Sequence, residues 1–230
     1  KKAQSYYRDV VWRRSQIEMA VHTPMPDGVS ERVSSWGWPD ESRSWNWAGR
    51  EGKAMQVAVY SRCDTVRLEL NGKVIGEKPV SAATKLTAKF DVPYEPGELC
   101  AVGLINGKEV AKTTLKTAGE PKAIRLTADR STIRASRNDL SYVTVEVVDQ
   151  DGNRVPYAAI PIHFTVTGAG ELAATGNGAP NDPASFQVPL RKTYEGRCLA
   201  ILRPTGDAGK IELKAEADGL KPATVVVQAR

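Results

Sequence analysis

The chain has 230 residues, of which 41% are hydrophobic and 26% charged, with a formal net charge of +5. This is enough apolar content to build a packed core and excludes a disordered chain, while no stretch reaches the roughly 20 apolar residues of a membrane helix, so no membrane insertion is expected. Acidic and basic residues alternate, as in Lys108-Glu109 and Lys214-Ala215-Glu216, leaving no concentrated basic face for nucleic acid.

The chain opens with helical spacing. Ala3, Tyr6, Tyr7, Val10 and Val11 recur at i, i+3, i+4, i+7 and i+8, one apolar stripe that predicts a short amphipathic helix. With no initiator Met, KKAQSYYRDV reads as the interior of a longer polypeptide, so the lack of a targeting signal is uninformative. A short segment, Ile17 to Val21, follows, and Pro24 and Pro26 then stop regular structure. Residues 1–50 are expected to form a helical and tryptophan-rich segment ahead of the first sheet domain.

SWGWPDESRSWNW, Ser35 to Trp47, holds four of the five tryptophans. Trp36 and Trp38 are two residues apart, as are Trp45 and Trp47, so in extended chain each pair points to one side. Two readings follow. The indoles seal a seam between two pieces of protein, because tryptophan buries much area and keeps one donor. Alternatively, they form flat platforms that stack on sugar rings. The seam is the preferred reading, and the platform stays open.

From Met55 the apolar period changes to two, and short strands alternate with turns. Val66, Leu68 and Leu70 share one face before Asn71-Gly72, and LCAVGLI runs into Asn106-Gly107. Asn-Gly between strands predicts a type I′ hairpin, since both residues tolerate positive φ. With TKLTAKFDV between them, residues 51–118 have the strand cadence of a first β-sandwich. Thr117-Ala-Gly-Glu-Pro121 reads as a linker. Residues 119–230 repeat the pattern from AIRLTA through SYVTVEVV, IPIHFTVTG, EGRCLAILRP and KIELKAE to TVVVQAR, a second sandwich of immunoglobulin-like size.

The chemical motifs favour their structural readings. Asp149-Gln-Asp151-Gly-Asn153 opens like a calcium loop but has Ile160 at the twelfth position and strands for flanks, so a turn is expected. Gly206-Asp-Ala-Gly-Lys210 lacks phosphate-loop spacing. The polar loop of Gly176 to Pro183 offers a binding loop or a plain connection. His22 and His163 stand in unrelated contexts and make neither a triad nor a metal pair. Cys63, Cys100 and Cys198 have no metal spacing; free thiols are expected, with a Cys63–Cys100 bridge as the alternative. Glu31, Asp40, Glu41 and Glu51 are carboxylates in loops, without a scaffold that would bury one and raise its pKa for glycoside hydrolysis. No catalytic residue, metal or cofactor is expected.

Trp45-Asn46-Trp47, Gly49 to Lys53, Val59-Tyr60-Ser61 and Val66 through Gly76 together resemble the C-terminal region of family 2 glycoside hydrolases, the bacterial β-galactosidase type. Asp139-Leu-Ser-Tyr-Val-Thr-Val-Glu-Val-Val-Asp, Gly176-Asn-Gly and Gly196-Arg-Cys-Leu-Ala are similar to that family's terminal sandwich, and KKAQSYYRDVVW to the last helix of its (β/α)8 barrel. The resemblance implies an all-β accessory region, two tandem immunoglobulin-like sandwiches after a short barrel remnant in residues 1–50. The catalytic glutamates would lie in a barrel upstream of Lys1, so none is carried over. It also implies a parent that hydrolyses β-galactosides or related glycosides with retention, located in the periplasm, at the cell surface or outside the cell. The missing barrel is the expected partner. Trp36, Trp38, Trp45 and Trp47 would be interdomain residues against it, or sugar contacts at its rim. An independent carbohydrate-binding or adhesin-like module is the alternative function.

Overall fold

A computed structural model describes residues 3–26, 28–35 and 37–230. The chain forms two compact units, Lys1–Thr117 and Ala118–Arg230, and both are built almost entirely from antiparallel strands.

The first unit opens with helix α1 (Ala3–Val11) and continues through β1 (Ile17–His22), β2 (Glu41–Ser42), β3 (Ala54–Ser61), β4 (Thr65–Leu70), β5 (Lys73–Pro79), β6 (Thr87–Pro93), β7 (Glu98–Ile105) and β8 (Lys108–Lys116). Two four-stranded sheets, in the orders β2-β1-β3-β6 and β5-β4-β7-β8, enclose a core that includes Met19, Val57, Val59, Leu68, Phe90 and Leu99. Both Asn-Gly turns form as expected: Asn71 and Gly72 have φ of 52° and 77°, and Asn106 and Gly107 have φ of 49° and 74°.

The structure joins β1, β2, Trp45 and Trp47 to this sandwich, where the sequence reading set 1–50 apart. Ile17, Met19 and Val21 alternate into the core, and β1 pairs along β3 from Ile17↔Ser61 to Val21↔Val57. The pattern is short, and Pro24 and Pro26 mask it from the sequence side. The helix is also narrower than its stripe predicts. Val10 is fully buried, but Val11 is 37% exposed.

The second unit contains β9 (Ala123–Ala128), β10 (Thr132–Ile133), β11 (Ser141–Val148), β12 (Pro161–Gly168), β13 (Gly170–Gly176), β14 (Leu190–Lys192), β15 (Arg197–Pro204), β16 (Gly209–Glu216) and β17 (Ala223–Ala229). A five-stranded sheet, β10-β17-β16-β12-β14, faces a four-stranded one, β13-β15-β11-β9, across a core that includes Val143, Val145, Ile162, Phe164, Leu202, Ile211 and Leu213. The run AIRLTADRSTIRA breaks between β9 and β10, which lie in different sheets.

Carboxylates tie down the turns of this unit. Asp139 accepts from the Arg134 and Leu140 amides at 2.9 and 3.1 Å and from Arg130 at 2.9 Å. The amide of Arg134, then the Arg130 guanidinium, hold its pKa down to about 2. In the unfolded chain the group titrates near 3.9, so the folded state gains stability above that pH and loses it as pH falls toward 2. Carboxyl NMR titration of the folded chain should place Asp139 well below its neighbours that lack such donors. Asp139→Asn should flatten the acid limb of the stability curve between pH 4 and about 2.

Candidate functional site

The tryptophan-rich stretch does two different jobs, one inside the first sandwich and one on its surface. Trp45 is fully buried in the core of the first unit. Its Nε1 donates to the Glu95 carbonyl at 2.9 Å, and its own carbonyl accepts from Thr117 Oγ1 at 2.6 Å. The Tyr94 ring meets it edge-on with centroids 5.0 Å apart. The Trp47 amide donates to the Tyr94 hydroxyl at 3.2 Å, and the Trp47 indole N–H to the Ser44 carbonyl at 3.2 Å. Trp47 is partly buried and packs against the same core.

This arrangement departs from both sequence readings at Trp45. Its indole has no exposed face for a sugar, and it seals its own sandwich rather than a seam with another body. The period-two spacing of Trp45 and Trp47 gave no sign that one of them fills a core. Trp36 lies outside the described residues.

Trp38 belongs to a second cluster on the outer side of β1 and β3. Val10, Ala20, Ala58 and Tyr60 are buried there, with Tyr7, Trp38 and Leu86 packed around them. Tyr7 touches Trp38 and Tyr60 at centroid distances of 5.2 and 5.3 Å. At its centre Glu41 accepts from Trp38 Nε1 at 3.1 Å and from the Tyr60 hydroxyl in a short bond. Burial, and then the Glu41 carboxylate, push the Tyr60 phenol far above its usual range, so it acts as a neutral donor throughout physiological pH. Arg43 extends the cluster: it pairs with Glu18 at 3.1 Å, donates to Thr113 at 3.2 Å and covers the Tyr6 ring at 4.9 Å. Sequence reasoning placed Tyr7 in the helical stripe and Tyr60 in the family signature, but it linked neither of them, nor Tyr94, to the clustered tryptophans.

The other carboxylates weighed for chemistry are also in structural use. Glu31 pairs with His22 at 3.0 Å and accepts from the Asp40 amide at 2.6 Å, clamping the loop after β1. The His22 contact, then the Asp40 amide, lower its pKa. Glu51 accepts from the Gly49 amide at 3.3 Å. Asp149 accepts from the amides of Gly119, Asp151 and Asn153 at 2.8, 3.0 and 2.8 Å, and these donors occupy the oxygens that a calcium loop would turn to the metal. Among the described residues no group of three or more His, Cys, Asp or Glu is placed to hold a metal.

The polar loop after β13 closes on a buried arginine. Arg191 is 2% exposed, pairs with Asp182 at 2.9 Å and donates to Thr175 at 3.2 Å, while Asn177 bonds Asp182 at 2.8 Å. His163 is exposed on β12, and Cys63, Cys100 and Cys198 are free and buried. Burial pushes the Cys198 thiol up to about 12. No helix among the described residues is long and apolar enough to cross a membrane.

Residues 124–226 match the model of glycoside hydrolase family 2 C-terminal domain 5, and residues 52–111 match a domain of unknown function. A β-galactosidase of Bacteroides ovatus is 38% identical over 186 residues, which make up 80% of this chain and 22% of that protein. A β-galactosidase of Rhizobium radiobacter is 30% identical over 128 residues, 55% of this chain and 81% of that sequence. The crystal structure of a family 2 glycosyl hydrolase from Bacteroides cellulosilyticus matches with a TM-score of 0.91 at 36% identity, covering 100% of this chain and 30% of that one. The chain thus spans less than a third of the Bacteroides ovatus and Bacteroides cellulosilyticus proteins it matches.

The two roles of the stretch separate on substitution. Trp45→Ala should cost about 3–5 kcal/mol in chemical denaturation, as expected for emptying a large core position. Iodide should quench Trp12, which is 64% exposed, and leave the emission of Trp45 unquenched.

Proposed function

The chain belongs to glycoside hydrolase family 2, as a non-catalytic accessory part from its C-terminal region, and from that premise we propose that its first unit docks on the catalytic part of the same polypeptide. The parent in this reading hydrolyses β-galactosides or closely related β-glycosides by a retaining two-carboxylate mechanism. Both of those carboxyl groups belong to the catalytic part, and the loop glutamates described above take no share in the chemistry.

One observation carries the docking reading. Trp12, at the end of α1, is 64% exposed although the helix beside it is anchored by the fully buried Val10. Val11, Val29 and Val33, at 37%, 54% and 44%, are exposed in the same part of the chain. Exposed apolar side chains beside a helix anchored in this way suit a partner surface. The aromatic cluster around Glu41 stiffens that scaffold, because Tyr7 of the helix packs on Trp38 and Tyr60. Trp38 is thereby a support for the docking face rather than a sugar platform. The glycan-binding alternative loses Trp45, which is buried, and is weakened at Trp38, whose ring packs on Tyr7.

Trp12→Ser tests this directly. In the isolated chain the change should stay within about 0.5 kcal/mol, as at an exposed surface position. In the full-length enzyme it should cost about 2 kcal/mol, the value of burying one large apolar side chain. Equal, negligible effects in both contexts would refute docking through Trp12, and a saturable fluorescence response of the chain to galactosides would revive the sugar platform.

A further inference from the structure

The chain contains three Asn-Gly steps: Asn71-Gly72, Asn106-Gly107 and Asn177-Gly178. Such a step is open to self-modification. The following amide nitrogen loses its proton and attacks the asparagine Cγ, a C–N bond forms, and the side-chain nitrogen leaves as ammonia. Water then opens the succinimide at either carbonyl, to give aspartate or isoaspartate. The net change is one water consumed and one ammonia released. Glycine leaves the attacking nitrogen sterically free, so by local sequence all three steps are equivalent.

The fold makes them unequal. Asn71 is locked: its Nδ2 donates to the Pro96 carbonyl at 3.2 Å, and its Oδ1 accepts from the Glu98 amide at 2.8 Å. Gly97 leaves no space beside it, because a Cβ there would stand 1.9 Å from Asn71 Oδ1. Asn177 is locked more firmly. Its Nδ2 donates to Asp182 at 2.8 Å and to the Lys192 carbonyl at 2.9 Å, and its Oδ1 accepts from the Ala179 amide at 2.9 Å. Asn106 is exposed, and its side-chain amide has no hydrogen-bond partner among the described residues; its backbone N–H donates to Asp64 Oδ2 at 3.0 Å.

Asn71 and Asn106 have nearly the same backbone, with φ of 52° and 49° in the same type of turn. Backbone conformation therefore does not separate them, and side-chain bonding does. We propose that Asn106 is the site of selective spontaneous deamidation in the folded protein, with Asn71 and Asn177 protected by their hydrogen bonds. The product places a second carboxylate next to Asp64, whose oxygen already holds the Asn106 amide. In the isoaspartate form the chain also gains a backbone carbon inside a two-residue turn whose register depends on its length. Modification at this point thus loosens the β7–β8 hairpin at its tip, where Glu109 also pairs with Arg67.

Peptide mapping by mass spectrometry, on the folded chain incubated at mildly alkaline pH, reads each asparagine separately and resolves aspartate from isoaspartate. Asn106 should convert about tenfold faster than either of the others or more, since each of those must first break at least two side-chain hydrogen bonds. In denaturant the three rates should converge. Asn71 or Asn177 keeping pace with Asn106 in the folded chain would overturn the proposal. So would an Asn106 that stays intact in the folded chain while the unfolded chain converts.

Discussion

The burial of Trp45 is the constraint on which the first unit depends. A fully buried tryptophan dictates how the side chains around it pack, and its one N–H must find an acceptor once water is excluded. Here the acceptor is the Glu95 carbonyl between β6 and β7, and the Trp45 carbonyl in turn accepts from Thr117 just beyond β8. One residue therefore ties the stretch before the sandwich to the connection between its two sheets and to its last strand. Tyr94 completes the arrangement, with its ring against Trp45 and its hydroxyl under the Trp47 amide. With the C-terminal end of the stretch held this way, its N-terminal half can be presented outward. Glu41 and Trp38 sit there, a few residues upstream, on the opposite side of β1 from the core.

Much of this fold was legible in the residues, because its signals are local. Alternation in Thr65–Leu70 or Ser141–Val148 and the two Asn-Gly turns need no knowledge of the rest of the chain. What stayed hidden is tertiary. Ile17–His22 has the right alternation but is isolated between a helix and a proline-rich loop, and only its pairing with β3 makes it a core strand. The four clustered tryptophans looked like one feature, yet Trp45 and Trp38 serve opposite sides of a sheet. Their partners Tyr94, Tyr60 and Tyr7 come from distant parts of the chain, and no spacing rule links them.

The loop carboxylates show why residue chemistry alone says little about catalysis. A general acid needs its protonated form stabilised, which burial without donors supplies. Glu31, Asp139, Asp149 and Asp182 sit among donors that favour the ionised form, and each has a lowered pKa. For Asp149 burial works in the opposite direction, and the amides of Gly119 and Asn153 outweigh it. Carboxylates tuned this way fix turns. A sandwich with short connections needs such fixing, because each turn must satisfy its own backbone groups without a helix or strand to pair them.

The same economy separates the two faces of α1. Val10 is buried and Tyr7 is packed on Trp38, so the helix is seated by a narrow apolar contact of one turn. An isolated helix of nine residues is too short to hold itself together in water, and this contact supplies its stability. Had Val11 and Trp12 been needed for that seating, they would be buried with Val10. They are exposed instead, while Arg43 braces the helix from its other side by covering Tyr6 and pairing with Glu18 of β1. The helix is thus fixed by fewer apolar residues than it carries, and the surplus faces outward on a support that does not have to rearrange to meet a partner. In the docking we propose, binding through such a preordered face loses little conformational entropy.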